Sequence, residues 1–392
     1  MILSLRFKNF YSLAEDIIID FTADLSGRNS KNHLPENFIE YNNDKFVNIL
    51  GIFGANASGK SNLIKSMDFC RSLILNSHLY TEVSELRLEP FKFNPDKPSE
   101  FFINFVYENI EYEYSFTLTK FKILSESLFY YPNRRRAKVF EREDTNHYSY
   151  GKGIVKRPSE IEVNTGPHTL FLSRASSMNR PVINSAYRFF AENIWIGFGH
   201  LDLTDLNKGD IEDNRELLLR ALEISDSDII DIRVSETEGN KFELLTYHYE
   251  NPAISFNFEK EESEGTKRLI YLLTLLIKAI RRGTTFFLDE FDLKMHLRLA
   301  EFLIDVVRSS KKSQLVFTSH NPALINPEKL RLEQIVLVSK NKSGSSEFVA
   351  LSEFDGINKN SDIQKGYLQG RFDGVPYIGN IKNIISDLMP IQ

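Results

Sequence analysis

The sequence predicts an α/β fold in which a mixed, largely parallel sheet presents a phosphate-binding loop and an antiparallel β region lies beside it. Residues 54–61 spell GANASGKS, a complete G-x-x-x-x-G-K-S pattern. Residues 284–288 and 314–318 are continuous apolar runs of the kind found in buried parallel strands. Residues 101–118 contain two aromatic and β-branched runs around a short polar link, which is typical of a hairpin. Together these features predict both kinds of sheet in one chain.

The phosphate loop lies in the context that its chemistry requires. A strand-like run, 46–53, precedes it, and a helix-compatible stretch, 62–75, follows it. Backbone N–H groups of such a loop surround a polyphosphate at the positive end of the helix dipole. Lys60 is expected to reach the β- and γ-phosphates, and the Ser61 hydroxyl to bind Mg²⁺; the alternative is a chance glycine-rich turn, against which both flanks argue. The remaining predicted loop contacts are Gly54, Asn56, Ala57, Ser58 and Gly59.

The antiparallel region is expected to contain several strands. Residues 2–7 and 16–21 predict paired strands of a sheet that leads into the phosphate loop. The link Glu108-Asn109 predicts the hairpin turn. Residues 122–131 and 138–142 are expected to extend that sheet.

The middle of the chain is less regular. From about 151 to 209 the pattern weakens, and Gly, Pro, Asn and Ser become common, which favours an insertion or lid. Helical spacing returns at 211–224, followed by strand-like runs at 229–235, 241–249 and 254–258. The resulting division is an N-terminal lobe with the phosphate loop at 1–150, an insertion lobe at 151–260 and a C-terminal lobe at 261–392.

Composition limits the class of protein. The chain has 392 residues, 42% of them hydrophobic, which is enough for two or three packed lobes, and a net charge of −6. The single cysteine, Cys70, excludes an intrachain disulfide framework and fits a reducing cytosol. The N-terminus lacks the layout of a signal peptide, and the apolar stretch Leu269–Ile280 is too short to span a bilayer and contains Lys278. A soluble cytoplasmic protein without membrane contact is expected.

Two predicted parallel strands end in polar residues. Asp289 and Glu290 follow the run 284–288, and His320 lies just beyond the run 314–318. Because ligands of such sheets bind beyond the carboxyl ends of the strands, these side chains should converge on the phosphate loop. Asp289 is then the Mg²⁺ carboxylate, bound to the ion directly or through one of its ligands, and Glu290 orients or deprotonates the attacking water. The alternative is an acidic helix start on the surface, where acids are favoured anyway, with a structural histidine nearby.

With these residues in place, the chain resembles the ATP-binding cassette ATPases. Residues 263–268, SEGTKR, are similar to the signature motif of that superfamily, which implies ATP contacts for Ser263 and Gly265. The leucine that often precedes the serine is Glu262 here. This resemblance implies an ATP-binding cassette-type core with ATP and Mg²⁺ as cofactors.

The last motifs follow the same resemblance. Residues 289–296, DEFDLKMH, are similar to a Walker B segment with its D-loop, which implies an inter-subunit role for Asp292. Residues 318–322, TSHNP, resemble the segment carrying the switch histidine, which implies that Glu290 and His320 are the catalytic residues.

Within that superfamily the whole chain is similar to the AAA-family ATPases of prokaryotic defence loci, relatives of the OLD, RecF and SMC-type ATPases. The opening Asn9-Phe10-Tyr11-Ser12 and the closing 367–372 are of that kind. One phosphate loop and one signature imply a homodimer, or a higher homo-oligomer, with shared ATP sites. Only 72 residues follow His320, too few for the nuclease domain of OLD-type relatives. A separately encoded effector, a nuclease or toxin, is therefore expected; an ATP-gated scaffold with little turnover and a RecF-like DNA-repair ATPase are the alternatives.

One departure from the superfamily concerns a glutamine that usually contacts Mg²⁺ and the attacking water. No glutamine occurs before Gln314. Either Asn94 or Glu89, in the predicted loop 88–96, replaces it, or hydrolysis is slow and regulated.

A local basic run, Asn133-Arg134-Arg135-Arg136-Ala137-Lys138, is the sequence feature that bears on nucleic acid, and Lys152, Lys156 and Arg157 follow it. It predicts either a contact with phosphates or carboxylates of a partner, or a solvated hairpin tip. The hairpin tip is favoured because no aromatic residues interleave with the charges. DNA binding stays open.

Overall fold

The computed structural model describes residues 1–25, 34–81, 86–176, 181–199, 206–225, 227–237, 241–357 and 361–372. The strands are β1 (Ile2–Lys8), β2 (Ile17–Asp20), β3 (Phe38–Tyr41), β4 (Asp44–Val47), β5 (Ile49–Gly54), β6 (Ser99–Tyr107), β7 (Ile110–Leu118), β8 (Ile123–Tyr130), β9 (Ala137–Glu143), β10 (His147–Tyr150), β11 (Ile194–Gly197), β12 (Ile229–Thr237), β13 (Lys241–His248), β14 (Ser255–Asn257), β15 (Thr285–Leu288), β16 (Gln314–Ser319), β17 (Ile335–Lys340) and β18 (Ser346–Ala350). The helices are α1 (Lys60–Asn76), α2 (Ser159–Val163), α3 (Phe171–Ser176), α4 (Pro181–Glu192), α5 (Lys208–Glu212), α6 (Arg215–Ile224), α7 (Phe258–Glu261), α8 (Glu264–Arg282), α9 (Leu297–Arg308) and α10 (Ile363–Leu368).

A six-stranded mixed sheet forms the centre of the fold, in the order β11-β15-β16-β5-β17-β18. Its first five strands are parallel, and β18 runs antiparallel to β17. Successive residues of β5 point to opposite faces, as the period of two requires. Leu50 and Ile52 pack in the core that includes α1, whereas Ile49 and Phe53 pack in the core that includes α8 and α9. Both faces of the sheet are therefore covered, which explains its continuous apolar strands.

A seven-stranded antiparallel sheet, in the order β10-β9-β8-β7-β6-β1-β2, covers the α1 side. The hairpin turn between β6 and β7 has φ 50° at Glu108 and 63° at Asn109, the left-handed pair that a tight hairpin favours. The predicted pairing of the strands at 2–7 and 16–21 is confirmed, but the expectation that their sheet leads into the phosphate loop was wrong. The two strands pair with each other in the antiparallel sheet. There β1 also pairs with β6, which lies about 95 residues later in the chain. Local periodicity predicts a strand but not a partner so far away.

The weakly patterned segment at 151–209 contributes to the core in its described part. Phe189 of α4 stacks on Phe105 of β6 with ring centroids 4.1 Å apart. Strand β11 pairs in parallel with β15 at one edge of the mixed sheet. Short helices and a four-residue strand have too few residues to show a clear period, so the sequence favoured an irregular insertion here.

A smaller sheet, β12-β13-β14, lies with α5, α6 and α7 on the α8 side of the central sheet. Helix α8 follows directly and is capped by the Ser263 side chain, which accepts a hydrogen bond from the Thr266 N–H. Helix α9 begins at Leu297. The His296 side chain caps it by accepting from the Arg298 N–H, so residues 290–296 are free to form a turn beside the sheet.

Candidate functional site

The loop between β5 and α1 follows the carboxyl end of a central strand. Its backbone takes left-handed conformations at Ala57, with φ 61°, and at Gly59, with φ 109°. A Cβ atom at Gly59 would overlap the Ser346 hydroxyl, and one at Gly54 would overlap the Val338 carbonyl oxygen. Both positions therefore need glycine for close packing.

The same loop leaves donors for an anion. Within the described chain, the N–H groups of Asn56, Ala57 and Gly59 form no hydrogen bond. Asn56 and Ala57 are exposed at the loop tip, next to the N-terminus of the 17-residue helix α1. Unpaired N–H groups and a helix N-terminus at one place form a concavity that suits phosphate.

Lys60 lies beneath the loop and is almost fully buried. Its ammonium group donates to the carbonyl oxygens of Gly54 and Ala55, both at 2.8 Å, and lies 3.3 Å from the His320 Nδ1. Burial lowers the pKa of Lys60 to about 8, against the opposing effect of the Asp289 and Glu290 carboxylates. The partners of the ammonium are two carbonyl oxygens and an imidazole nitrogen, which carry no formal charge, and a phosphate oxygen could replace them.

Ser61 and Asp289 meet across the sheet. The Ser61 hydroxyl donates to the Asp289 carboxylate at 3.0 Å, and the Thr318 hydroxyl donates to the same Oδ1 at 2.6 Å. Asp289 is 8% exposed, at the end of β15, and its carboxylate is therefore fixed by two hydroxyls from two other elements. A hydroxyl and a carboxylate oxygen at this separation are hard donors of the kind that Mg²⁺ prefers.

Glu290 has a strained backbone with φ 50°. Its N–H donates to the Thr318 hydroxyl at 2.9 Å, and its carbonyl oxygen accepts from the Arg268 guanidinium at 2.6 Å. Arg268, in the first turns of α8, also donates to the Phe291 and Gly199 carbonyl oxygens. A left-handed glutamate persists only when its surroundings hold it on both sides, as they do here.

His320 follows β16 and faces the loop. Burial and the nearby Lys60 charge lower its pKa, while the Glu290, Asp292 and Asp289 carboxylates oppose that shift. The neutral imidazole is therefore favoured at neutral pH. In that form Nδ1 can accept from Lys60 while Nε2 carries the proton.

Sequence reasoning did not select several residues that hold these groups. Thr318 joins Asp289 to Glu290, and Arg268 joins α8 to Glu290. Ser346 of β18 donates to the Ser58 carbonyl oxygen at 2.6 Å and lies 2.6 Å from the Ser12 hydroxyl. Thr318 and Arg268 fall inside the two noted motifs, which was an available signal. Ser346 lies far from every motif and could not be found that way.

The signature-like residues lie apart from the phosphate loop. Ser263 is exposed, and the hydrogen bonds of its hydroxyl in the described chain go to Thr266, while its carbonyl oxygen accepts from the Lys267 N–H. A Cβ on Gly265 would lie 3.1 Å from the Lys294 carbonyl oxygen, so the start of α8 packs on the turn after Asp292. Asp292 is half-buried and interacts electrostatically with Arg268 and His320. The structure brings Lys60, Ser61, Asp289, Glu290 and His320 together, while Ser263 makes no hydrogen bond to any of them.

The predicted replacements for the glutamine are held elsewhere. The Glu89 carbonyl oxygen accepts from the Tyr11 N–H at 2.7 Å, and the Asn94 carbonyl oxygen accepts from the Asn9 amide at 3.3 Å. In residues 86–98 neither the Glu89 nor the Asn94 side chain hydrogen-bonds to Ser61 or Asp289.

The basic run occupies the turn between β8 and β9, and residues 133–136 are exposed. Arg136 pairs with Glu113 at 2.7 Å and stacks 3.6 Å over the Phe129 ring. One of the three arginines of the run, Arg136, therefore already binds side chains of its own sheet.

A family model described as "AAA domain, putative AbiEii toxin, Type IV TA system" matches residues 49–326, more than two thirds of the chain. The chain belongs to this AAA-domain family. The match begins at β5 and ends after the His320 segment, so it encloses the phosphate loop, the acidic pair and the histidine.

Solved structures that this AAA-domain chain is similar to include three heads of SMC proteins. They are an SMC head bound to the C-winged helix domain of ScpA, an SMC head domain from Thermotoga maritima, and an SMC head domain with an extended coiled coil bound to the C-terminal domain of ScpA, derived from Pyrococcus furiosus. Their identities are 15%, 15% and 16%, and their TM-scores are 0.45, 0.42 and 0.43. The matches cover 89–90% of this chain and 97–98% of the other chains. No curated protein matches the sequence significantly.

None of the helices in the described part of the chain is long and apolar enough to cross a membrane.

Proposed function

We propose that the chain binds ATP with Mg²⁺ and hydrolyses it. The observation that carries this proposal is the convergence of Lys60, Ser61, Asp289, Glu290 and His320 beside a loop with unpaired N–H groups. Ser61 and Asp289 would hold Mg²⁺, which supplies charge neutralisation at the transferring phosphate. Lys60 would bind the β- and γ-phosphates, with the loop N–H groups beside it.

The chemical step would fall to two side chains. Glu290 would orient the attacking water and accept its proton, and its backbone is fixed on both sides for that task. Neutral His320 would donate from Nε2 toward the γ-phosphate or the water, once its Nδ1 is held by Lys60.

The active species would be a homodimer with two shared sites. Ser263 is exposed at the N-terminus of the 19-residue helix α8 and makes no hydrogen bond to the loop of its own chain. An exposed serine at a helix N-terminus can meet a γ-phosphate held by a second copy, which would also bring Asp292 to the interface. Bound ATP would then join the two subunits, and hydrolysis would release them.

In the cell, we infer a regulatory ATPase of an anti-phage defence system that controls a separately encoded effector. The family description, which names a putative toxin and a Type IV TA system, supports a role of this kind. Co-expression with neighbouring genes tests this proposal. A partner protein should co-purify with the chain, and the toxicity of that partner should depend on ATP. Toxicity of this chain expressed alone, without a partner, would contradict a purely regulatory role.

Glu290→Gln tests the enzymatic proposal directly. It should retain ATP and lose turnover by about a hundredfold or more, as expected for a positioned base. Glu347→Gln, an exposed glutamate on β18, is the matched control and should behave as wild type. Wild-type turnover by Glu290→Gln would remove Glu290 from the chemistry.

A scaffold with little turnover is the second candidate. The observation that favours it is that neither Glu89 nor Asn94 reaches the Ser61–Asp289 pair. A single-turnover measurement separates the two: bound ATP that remains intact over many minutes, with or without DNA, favours the scaffold. Turnover that rises only with DNA would favour a RecF-like repair ATPase instead.

A further inference from the structure

Glu262 occupies an unusual position, immediately before Ser263 in the link between α7 and α8. Its backbone is extended, with φ −84° and ψ 158°, and Ser263 continues at φ −66° and ψ 148°. The Glu262 side chain is only 8% exposed, although it is a carboxylate on a short surface link. Burial of a carboxylate raises the free energy of the folded state unless the group is hydrogen-bonded, so hydrogen-bond partners must offset the burial of Glu262.

Both partners of Glu262 come from one strand, β13. The Thr246 hydroxyl donates to Oε1, and the His248 Nε2 lies 2.9 Å from the same oxygen. Thr246 is fully buried, and the His248 ring packs edge-on against Phe256 of β14 at a centroid distance of 4.5 Å. Two rigidly placed donors therefore fix the direction of one carboxylate.

The second nitrogen of His248 has its own partner. Its Nδ1 lies 3.1 Å from the Asp228 carboxylate, which is 75% exposed. Asp228 and Glu262 are the charged groups that face the ring, and together they hold it between the start of β12 and the α7–α8 link. These contacts connect the β12–β14 sheet with Glu262, the residue that precedes Ser263.

This arrangement also keeps the negative charge of Glu262 away from the Ser263 hydroxyl. A carboxylate adjacent to Ser263 would repel a phosphate if it pointed toward the serine hydroxyl. Held by Thr246 and His248, it points to β13 instead, while the Ser263 hydroxyl is oriented separately by the Thr266 N–H at 3.1 Å. Apolar leucine, common at this position in the superfamily, would need neither donor.

We propose that Glu262 is a positioning residue through which strand β13, by Thr246 and His248, sets the place of Ser263 at the shared ATP site. This inference rests on the proposed function, since it requires Ser263 to contact nucleotide held by a second copy. It makes the β12–β14 sheet the element that adjusts ATP-driven pairing without touching the chain's own phosphate loop.

The experiment uses the full chain carrying Glu290→Gln, so that bound ATP persists. Glu262→Ala should weaken ATP-driven self-association by about tenfold, because two buried donors lose their acceptor and the link is released. Nucleotide affinity, measured at a dilution where the protein is monomeric, should not change. Glu262→Gln keeps an acceptor for both donors and should restore most of the self-association. Glu250→Ala removes an exposed acid of the same lobe and serves as the control.

Thr246→Val keeps the proposal testable if Glu262→Ala fails to fold, since it is isosteric and removes one donor only. Ser263→Ala is measured alongside. If Ser263→Ala weakens self-association while folded Glu262→Ala and Thr246→Val do not, the positioning role is overturned and the shared site stands. If Ser263→Ala has no effect either, the shared site itself fails, and the positioning role with it.

Discussion

Thr318→Val removes one hydroxyl from the centre of the site and preserves the shape of the side chain. Thr318 is fully buried at the end of β16. Its hydroxyl donates to Asp289 at 2.6 Å and accepts from the Glu290 N–H at 2.9 Å. Valine can do neither, so a buried carboxylate loses one of its two hydroxyl donors and a partly buried N–H loses its acceptor.

The expected magnitude follows from these two bonds. A hydrogen bond to a charged group contributes about 1.5–3 kcal/mol net, and a neutral one contributes about 1 kcal/mol. Unfolding should therefore become easier by about 2–4 kcal/mol, with the larger value if no water replaces the hydroxyl. Turnover should fall by about tenfold to a hundredfold, because both acids lose their fixed positions.

The assay pairs a urea titration with steady-state ATP hydrolysis, and Thr274→Val is the matched control. Thr274 is equally buried in α8, but its hydroxyl donates only to the Ile270 carbonyl oxygen of the same helix, at 2.7 Å. Its loss should cost about 0.5–1 kcal/mol and leave turnover unchanged. If Thr318→Val destabilises no more than Thr274→Val and hydrolyses ATP at the wild-type rate, then Thr318 does not hold the two acids.

Three further outcomes are expected. Lys60→Ala should abolish ATP binding and leave the melting temperature nearly unchanged, because relief of the desolvation of the buried ammonium offsets the contacts that are lost with it; tight ATP binding by the folded variant would contradict the assignment. Burial lowers the pKa of Lys60 to about 8, and bound phosphates would raise it, so ATP affinity should be constant below about pH 8 and fall by up to about tenfold per unit above it. Calorimetry in two buffers should then show that the protein takes up protons when it binds ATP. An ATP affinity that does not depend on pH, without proton uptake, would refute this prediction. Ser263→Arg should be inactive alone yet regain part of its activity when mixed with Lys60→Ala, because a mixed dimer retains one intact site; full turnover by Ser263→Arg as a strict monomer would place the whole site within one chain.

The candidate site was predictable to the extent that it consists of local motifs. The glycines that allow the loop to approach Val338 and Ser346 form one such motif with the lysine and serine that follow them. The acidic pair and His320 each end an apolar run, and parallel strands place their carboxyl ends at one edge. Their convergence on Lys60 therefore followed from strand order, which the two apolar runs and the loop implied.

The bonds that hold those groups were not predictable in the same way. Thr318 sits inside a recognisable motif, but only the pairing of β15 with β16 places its hydroxyl against Asp289. Arg268 reaches Glu290 because α8 packs over the end of β15. These contacts join residues more than 20 positions apart, and no local period specifies them.

By itself, the sequence determined the order of the chemical groups along the chain, because loop, strand and helix signals are written in adjacent residues. The tertiary structure decided which sheet each strand joined. Strand β1 pairs with β6 rather than with β5, and β18 lies on β17, where Ser346 touches the phosphate loop. Pairing depends on the packing of both sheet faces against two separate cores, and that free energy belongs to the whole chain rather than to any segment of it.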